Sequence, residues 1–578
     1  MLPVDAGRKS RESPPRPDPR IAAAETVLAS ALDHHRAGDL KKACDLYRKI
    51  LKSAPRHAEA LHLLGLATLE LGKAGRAAQL IGKAAALAPG NTLYRINLGE
   101  AYRLAGKPEE AAAAYRAALS IDSGFVPALA SLGNLLKTQG QIEEAVACHR
   151  RAAALQPGSA ELKSNLGLAL RDAGKIDEAL VELRGAAGLA PRHADIQFNL
   201  GNVLLAAGMA EEAEAAFART VDLDPGHARA WCNRGIALRE QGRGVQAAAA
   251  LRKALDLVPD WADAHWNLAL ALLMDGKFAE GWREYEWRRR IPGFAIQKPA
   301  GPEWDGSALA GRTLLLRAEQ GLGDAIQFAR YARLAGRSAG KVVLECPPAL
   351  VRLFRGSGLC DAVTARGEPV SFDVEAPLMS GPYFLDPDLA AASASVPYLA
   401  AEPELIARWK ARLSQGSGLK IGIAWQGNPA YRADRMRSIP LAHFFALARR
   451  PGIRLVSLQK GFGAEQLDGV PAGVAIENLG RELDESTGAF VDTAAVIAGL
   501  DLVICSDSAC AHLAGALGKD VWVALAASPD WRWGRSGERS PWYPTTRLFR
   551  QSAAGDWAGV FSRIADALGP RLAGNEGG

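Results

Sequence analysis

The chain has 578 residues, of which 48% are hydrophobic and 23% charged, and a net charge of +6. This length exceeds what a single hydrophobic core organises, so we expect several domains. The charges are dispersed, which argues against a nucleic-acid-binding surface, and no apolar stretch reaches the ~18 residues that would span a membrane. The seven cysteines form no CxxC pair and no His/Cys cluster, which predicts reduced thiols in a cytoplasmic protein.

Residues 1–20 are predicted to be a disordered leader. The segment is rich in proline and arginine and lacks the apolar core of a signal peptide.

Residues 21–290 repeat with a period of 34. Glycine recurs at this spacing from Gly38 to Gly276, and a second register of small residues runs from Gly65 to Ala269. The pattern resembles the tetratricopeptide repeat, which implies about eight helix pairs stacked into an α-solenoid with a concave groove. In such a repeat the first glycine closes helix A and the second small residue lets helix A approach helix B.

Asparagine occupies one further register, two residues before the second small-residue register. The members are Asn97, Asn165, Asn199, Asn233 and Asn267. An amide can bind the backbone of an extended peptide without reading its sequence. The register resembles the asparagine ladder of O-linked N-acetylglucosamine transferases, which implies acceptor binding. The alternative is that these amides tie neighbouring repeats together.

The second half of the chain alternates short β-rich runs with helical stretches, which predicts parallel sheets. The runs are TLLLRA, KVVLEC, KIGIAW, RLVSLQ, DLVICS and VWVALA. A Gly/Ser-rich linker near 412–420 divides this half into two predicted Rossmann-like lobes, an acceptor lobe at 300–412 and a nucleotide-sugar lobe at 418–553. A helix and tail follow at 554–578. The architecture predicted is an α-solenoid followed by an α/β unit that resembles the GT-B glycosyltransferases, whose site lies in the cleft between lobes.

Asp324 is the predicted catalytic residue. It follows the first strand of the acceptor lobe in the sequence EQGLGD, where the third glycine of a dinucleotide fingerprint is missing because Ile326 occupies that position. The loop resembles the Gly-Asp of heptosyltransferases, whose aspartate is the proposed base. A carboxylate that takes a hydroxyl proton contributes about 10²–10⁴-fold to the rate. The alternative is a helix cap.

The stretch ICSDSACAHLAGALGK, residues 504–519, places a turn of small residues between a strand and a helix. Such a turn favours a phosphate, which would lie close to Ser508 and Ala509 and accept a hydrogen bond from His512 one helical turn later. Asp507 would repel a phosphate, so it is predicted to bind a ribose hydroxyl or to cap the helix. The stretch resembles the DTGxxH motif of the ADP-heptose glycosyltransferases, with Ser508 in place of Thr and Ala509 in place of Gly. The resemblance spans 300–551.

Four more residues are predicted to face the donor. Arg437 would neutralise the leaving phosphate, with Ser438 beside it, and Gln459 and Lys460 follow the next strand. Trp531 or Trp533 would stack on the base or sugar, although plain packing is an equal alternative.

Together these patterns predict an inverting glycosyltransferase without metal or cofactor. It would move sugar from a nucleotide sugar to Ser or Thr of a protein held by the repeats. The chain resembles bacterial proteins that fuse tetratricopeptide repeats to such a unit, some of which modify flagellin in the cytoplasm. That resemblance implies a nonulosonic acid or N-acetylglucosamine donor. The alternatives are a glycolipid transferase of the heptose type and a peptide-binding scaffold with an inactive catalytic unit.

Overall fold

The computed structural model describes residues 19–294, 298–338, 340–430 and 434–575. The chain divides into two compact units, Met1–Leu223 and Asp224–Gly578. The predicted leader lies outside the described residues, apart from Pro19 and Arg20, which begin the first helix.

The first unit is a run of antiparallel helix pairs. Its helices are α1 (Pro19–Arg36), α2 (Leu40–Ser53), α3 (Ala58–Glu70), α4 (Ala74–Leu87), α5 (Thr92–Leu104), α6 (Pro108–Ile121), α7 (Val126–Thr138), α8 (Ile142–Leu155), α9 (Ala160–Asp172), α10 (Ile176–Leu189), α11 (Ala194–Ala206) and α12 (Ala210–Leu223). Gly72 has φ +75°, a left-handed conformation that ends helix A. A Cβ on Gly99 would lie 2.4 Å from Tyr115 Cε1, so the second register does allow the two helices to meet. The helical-repeat prediction is confirmed.

The second unit begins with the final helix pairs of the repeat array. These are α13 (Ala228–Glu240), α14 (Gly244–Leu257), α15 (Ala262–Met274) and α16 (Phe278–Tyr285), followed by the 3₁₀ turn Glu286–Arg290.

A parallel sheet follows, with strand order β3-β2-β1-β4 among the described residues. Its strands are β1 (Thr313–Arg317), β2 (Lys341–Cys346), β3 (Ala362–Ala365) and β4 (Val374–Pro377). Its helices are α17 (Leu322–Phe328), α18 (Arg330–Ala335), α19 (Val351–Gly356), α20 (Gly381–Leu385), α21 (Ala390–Ala394) and α22 (Pro403–Leu413).

A second parallel sheet has the strand order β10-β9-β8-β5-β6-β7 in the described part of the chain. Its strands are β5 (Leu419–Ala424), β6 (Ile453–Ser457), β7 (Ile476–Asn478), β8 (Leu502–Ser506), β9 (Val521–Leu525) and β10 (Thr546–Arg550). Its helices are α23 (Asp434–Arg437), α24 (Phe445–Ala448), α25 (Val491–Ala498), α26 (Ala509–Ala516) and α27 (Trp557–Asn575). The predicted parallel α/β character of this half is confirmed.

The last repeat helix packs into the core of the α/β region. Trp282, on α16, is 1% exposed and makes edge contacts with Trp531 at 5.3 Å and Trp542 at 6.1 Å between ring centroids. The buried guanidinium of Arg288 binds Glu319 at 2.6 Å and Ser380 at 3.0 Å. The end of the repeat array and the two sheets therefore share one hydrophobic core, and removing α16 would expose it.

Candidate active site

The loop after β1 brings Asp324 to the first turn of α17. Gln320 has φ 61°, a left-handed conformation that is strained for a residue with a side chain and that clusters at functional sites. The Gly321 N–H then donates to Asp324 Oδ2 at 3.0 Å. Asp324 is thus a helix cap in its ground state, and the capping interaction fixes the orientation of its carboxylate.

The loop after β8 leads into α26. Ser508 stands at the helix start with extended backbone, and its Oγ donates to Ser506 O at 3.3 Å rather than capping the helix. Asp507 is only 7% exposed and His512 only 5%. Both residues, which are predicted to bind the nucleotide sugar, are therefore largely enclosed by protein.

These two loops meet, although 183 residues separate Asp324 from Asp507. Helix α17 packs against α26. A Cβ on Gly323 would lie 3.4 Å from Ala509 Cα and 3.5 Å from His512 Cδ2. The carboxyl end of β1 in one sheet and that of β8 in the other therefore converge, as they do where α/β proteins bind ligands between sheets.

Arg532, in the segment after β9, binds the Asp324 loop and was not among the residues predicted from the sequence. Its guanidinium donates to Asp324 at 2.5 Å, Gln327 at 2.7 Å and Asp530 at 2.9 Å. The residue is 8% exposed. The sequence SPDWRWG did contain a signal, because an acid and an arginine two residues apart follow β9. The prediction for this segment concerned its two tryptophans instead.

The two tryptophans of this segment are packing residues. Trp533 is 1% exposed and stacks on His512, with ring centroids 5.2 Å apart and an angle of 13° between planes. Trp531 is 5% exposed and packs on Trp282 and Tyr285. Of the two alternatives, the contacts favour packing over stacking on a base or sugar.

The surroundings of the cluster raise the pKa of Asp507 and lower that of His512. Burial, reinforced by the negative charge of Asp530, raises the pKa of Asp507 to about 6, against the opposing effect of Arg437 and Arg532. The Trp533 indole N–H also acts to lower this pKa, but it makes no hydrogen bond of acceptable geometry. Asp507 is therefore a carboxylate whose charge is costly near neutral pH.

His512 is held neutral. Burial and the nearby arginines, led by Arg532, lower its pKa well below the usual value. Its Nδ1 lies 3.1 Å from the Tyr543 hydroxyl. A neutral imidazole can still donate one hydrogen bond, and when Tyr543 donates to Nδ1 the free donor is Nε2–H.

Arg437 and Ser438 share one buried carboxylate. Arg437 Nε donates to Asp434 at 3.1 Å and Ser438 Oγ at 2.8 Å. Arg437 is also close enough to Asp507 and His512 to act on both pKa values. It therefore belongs to the electrostatic surroundings of the β8–α26 loop.

Gln459 and Lys460 contact other segments. Gln459 accepts from the backbone N–H groups of Trp425 and Gln426 at 2.9 and 3.0 Å, and its amide donates to Gln426 O and Phe462 O. Lys460 donates to Leu483 O at 2.5 Å and pairs with Glu485 at 3.1 Å. In this conformation Gln459 holds the loops after β5 and β6, and Lys460 holds the loop after β7.

The asparagine register makes bonds within the repeats of each unit. In the first unit, Asn97 bonds His62 at 2.8 Å and Asn199 donates to Ser164 at 3.2 Å. In the second, Asn267 accepts from Arg239 at 3.1 Å. These three amides bridge successive repeats, which favours the alternative interpretation for them. All five, including Asn165 and Asn233, are half-buried, so a peptide could still reach them.

Within the described ranges, no group of three or more His, Cys, Asp or Glu side chains is placed to hold a metal ion. A search of the same ranges for a helix long and apolar enough to cross a membrane finds none.

Comparison with known proteins identifies the repeats. One tetratricopeptide repeat family matches residues 28–92, 69–124, 165–228, 198–260 and 232–285, and a second matches 102–167. The chain is also 30% identical over 334 residues to Protein FlbA of Caulobacter vibrioides. The match covers 51% of this chain, and the chain spans about half the length of that relative, 53%.

Solved structures give partial likenesses. YrrB, described as a tetratricopeptide protein with an unusual peptide-binding site, is 28% identical, with a TM-score of 0.29, over 32% of this chain and 96% of its own. A tetratricopeptide repeat protein of Parabacteroides merdae is 18% identical, with a TM-score of 0.36, over 43% of this chain and 99% of its own. By the family matches, residues 28–285 of this chain are a tetratricopeptide-repeat array.

Proposed function

We propose that the chain is a cytoplasmic protein glycosyltransferase of the GT-B type, with the array delivering a protein acceptor. The observation that carries this proposal is the convergence of the Asp324 loop and the Asp507–His512 loop from two separate parallel sheets. Two sheets whose strand ends face one ligand site are the arrangement that a two-lobed transferase needs. Tetratricopeptide repeats support the protein acceptor because their usual ligands are polypeptides.

In this proposal the acceptor hydroxyl of Ser or Thr attacks the anomeric carbon of the sugar. The bond from that carbon to the nucleotide phosphate breaks, and the phosphate leaves with the electron pair. The proton of the hydroxyl passes to the Asp324 carboxylate. Arg437, Arg532 and the first N–H groups of α26 neutralise the departing phosphate without requiring a metal ion.

Arg532 connects donor binding to the base. In the structure its guanidinium is paired with Asp324. A donor phosphate competes for that guanidinium, so donor binding would release the carboxylate to accept a proton. His512 would donate from Nε2 to the same phosphate, and ionised Asp507 would accept from a ribose hydroxyl. The acceptor and donor named by resemblance, flagellin and a nonulosonic acid nucleotide, belong to this proposal.

A scaffold with an inactive α/β region is the second candidate, because the Asp324–Arg532 ion pair occupies the proposed base. Donor hydrolysis by the purified protein separates the two candidates. A glycolipid acceptor is distinguished by finding the sugar on lipid rather than on protein.

The test is intact-mass analysis of proteins that co-purify with the chain from cells that carry it or lack it. We expect a sugar-sized mass increment on a co-purified protein, absent with Asp324→Asn. Asp373→Asn is the matched control, because Asp373 also accepts a backbone N–H, that of Thr313 at 2.7 Å. An increment that survives in the Asp324→Asn cells would overturn the assignment of the base, and no increment with the intact chain would overturn the activity.

A further inference from the structure

A cavity of about 540 Å³ lies where β1 and β4 end against the last segment of the repeat array. Arg317 and Pro377, the final residues of the two strands, line one side, and Arg283, Trp287 and Arg290 line another. The volume is within the range of ligand-binding cavities, and the carboxyl ends of parallel strands are where α/β proteins bind ligands. None of the predicted site residues lines this cavity.

The carboxylates in the cavity wall already have cationic partners. Glu319 and Glu286 pair with the buried Arg288 at 2.6 and 2.7 Å, Glu375 pairs with Arg317, and Glu303 pairs with Arg289. Glu286 and Glu319 share Arg288, so their charges are neutralised only in part, but all four carboxylates are engaged and none is free to take a further cation.

Five cationic side chains and four carboxylates line the cavity, which leaves a net lining charge of +1. Among the described residues, the exposed side chains of Arg283 and Lys298 have no carboxylate partner. Arg290 lies 4.2 Å from the centroid of Trp287 and reaches Asp260 only at 3.9 Å. The side chains that the cavity leaves available to a ligand are therefore cationic.

The position of the cavity indicates that its anionic ligand is a polypeptide. Its helical wall is the end of a tetratricopeptide array, a class of repeat that binds polypeptides. Its opposite wall includes Glu319, from which the chain continues through Gln320 directly to Asp324. Gln320 also donates to the Tyr285 hydroxyl at 3.3 Å, which ties this loop to α16.

We propose that this cavity binds aspartate or glutamate side chains of a polypeptide, through Arg283, Arg290 and Lys298. A polypeptide anchored there runs past the loop that carries Asp324, so acidic residues near the modified hydroxyl would select the acceptor. The role in acceptor selection rests on the proposed function, whereas the binding of acidic peptide does not.

The test measures fluorescence anisotropy of a fluorescein-labelled hexaglutamate peptide with the full-length chain, with a labelled hexaglutamine peptide alongside. We expect hexaglutamate to bind in a salt-dependent manner and hexaglutamine not to bind. The double variant Arg283→Glu/Lys298→Glu should weaken binding by about tenfold or more, because two attractions become repulsions. The neutral variant Arg283→Gln/Lys298→Gln should give a smaller loss.

The matched control is Lys277→Glu/Lys410→Glu, which changes the net charge equally at exposed sites that do not line the cavity. It should leave the affinity within about twofold. Equal losses in both glutamate variants, or displacement of hexaglutamate by a nucleoside diphosphate alone, would overturn the proposal. Donor binding, measured separately by calorimetry, tells whether the proposed function fails while acidic-peptide binding stands.

Discussion

Replacing His149 with leucine should stabilise the repeat array. His149 lies on α8 and is 1% exposed, and neither ring nitrogen has a hydrogen-bond partner. A neutral imidazole keeps one N–H donor, and burying an unsatisfied donor costs about 1–3 kcal/mol. The same register of later repeats holds Leu183, which packs on Gly167 as His149 packs on Gly133. We therefore expect His149→Leu to raise the free energy of unfolding by about 1–2 kcal/mol at pH 7.5.

The effect should grow as the pH falls. Burial, with a smaller contribution from Lys137, lowers the pKa of His149 to about 4, whereas an unfolded histidine titrates near 6.5. Between pH 6.5 and pH 4 the histidine is protonated in the unfolded chain but neutral in the folded chain, so it progressively destabilises the fold as the pH falls. At pH 5 this linkage amounts to about 2 kcal/mol, which the leucine variant does not lose.

Hydrogen–deuterium exchange of peptides from 126–155 measures the local opening free energy, which suits an array that does not unfold as one unit. Rates at pH 7.5 and pH 5, corrected for intrinsic chemistry, would be compared for the parent, His149→Leu and the control His193→Leu. His193 is exposed, so its replacement should leave the pH dependence unchanged. The same change in protection between the two pH values in the parent and in His149→Leu would contradict this prediction.

Three further predictions concern the second unit. Asp324→Asn removes the carboxylate that competes with the donor phosphate for Arg532, so donor affinity should stay or rise. The single-turnover rate should fall by about 10²-fold or more, and a near-normal rate would leave Asp324 a cap. Asp507→Asn should weaken donor binding yet raise the free energy of unfolding by about 1–3 kcal/mol above pH 6, because the pKa of the carboxyl is about 6 in the folded chain and near 3.8 in the unfolded chain. This gain in stability should vanish below pH 4. Denaturation at both pH values that shows no such difference would contradict the cost assigned to the buried charge. Deleting Met1–Leu223 should preserve the second unit and its donor binding but abolish transfer to protein, whereas normal transfer would exclude delivery by the deleted repeats.

The candidate site was only partly accessible to sequence reasoning. Asp324 and Asp507 each stand after a strongly apolar strand, so a turn at the strand end was predictable from local pattern. The pairing of Arg532 with Asp324 was not, because 208 residues separate them and no periodicity links them. The same holds for Tyr543, whose hydroxyl contacts His512 from a loop that carries no strand or helix pattern.

The repeat array and the strands at the centres of the two sheets could be predicted from the amino-acid sequence alone. A 34-residue period repeats the same helix-packing requirement in every unit, so each register indicates its role several times over. The strands β1, β2, β5, β6, β8 and β9 lie inside the sheets and are largely buried, so each has an apolar core of at least two or three residues. The sequence did not predict the remaining strands, β3, β4, β7 and β10. Pairing with a neighbouring strand, rather than their own composition, holds them in the sheets. The packing of α16 into the α/β core, and the cavity with available cations beside it, could be found only in the folded structure, because both depend on contacts between segments far apart in the chain.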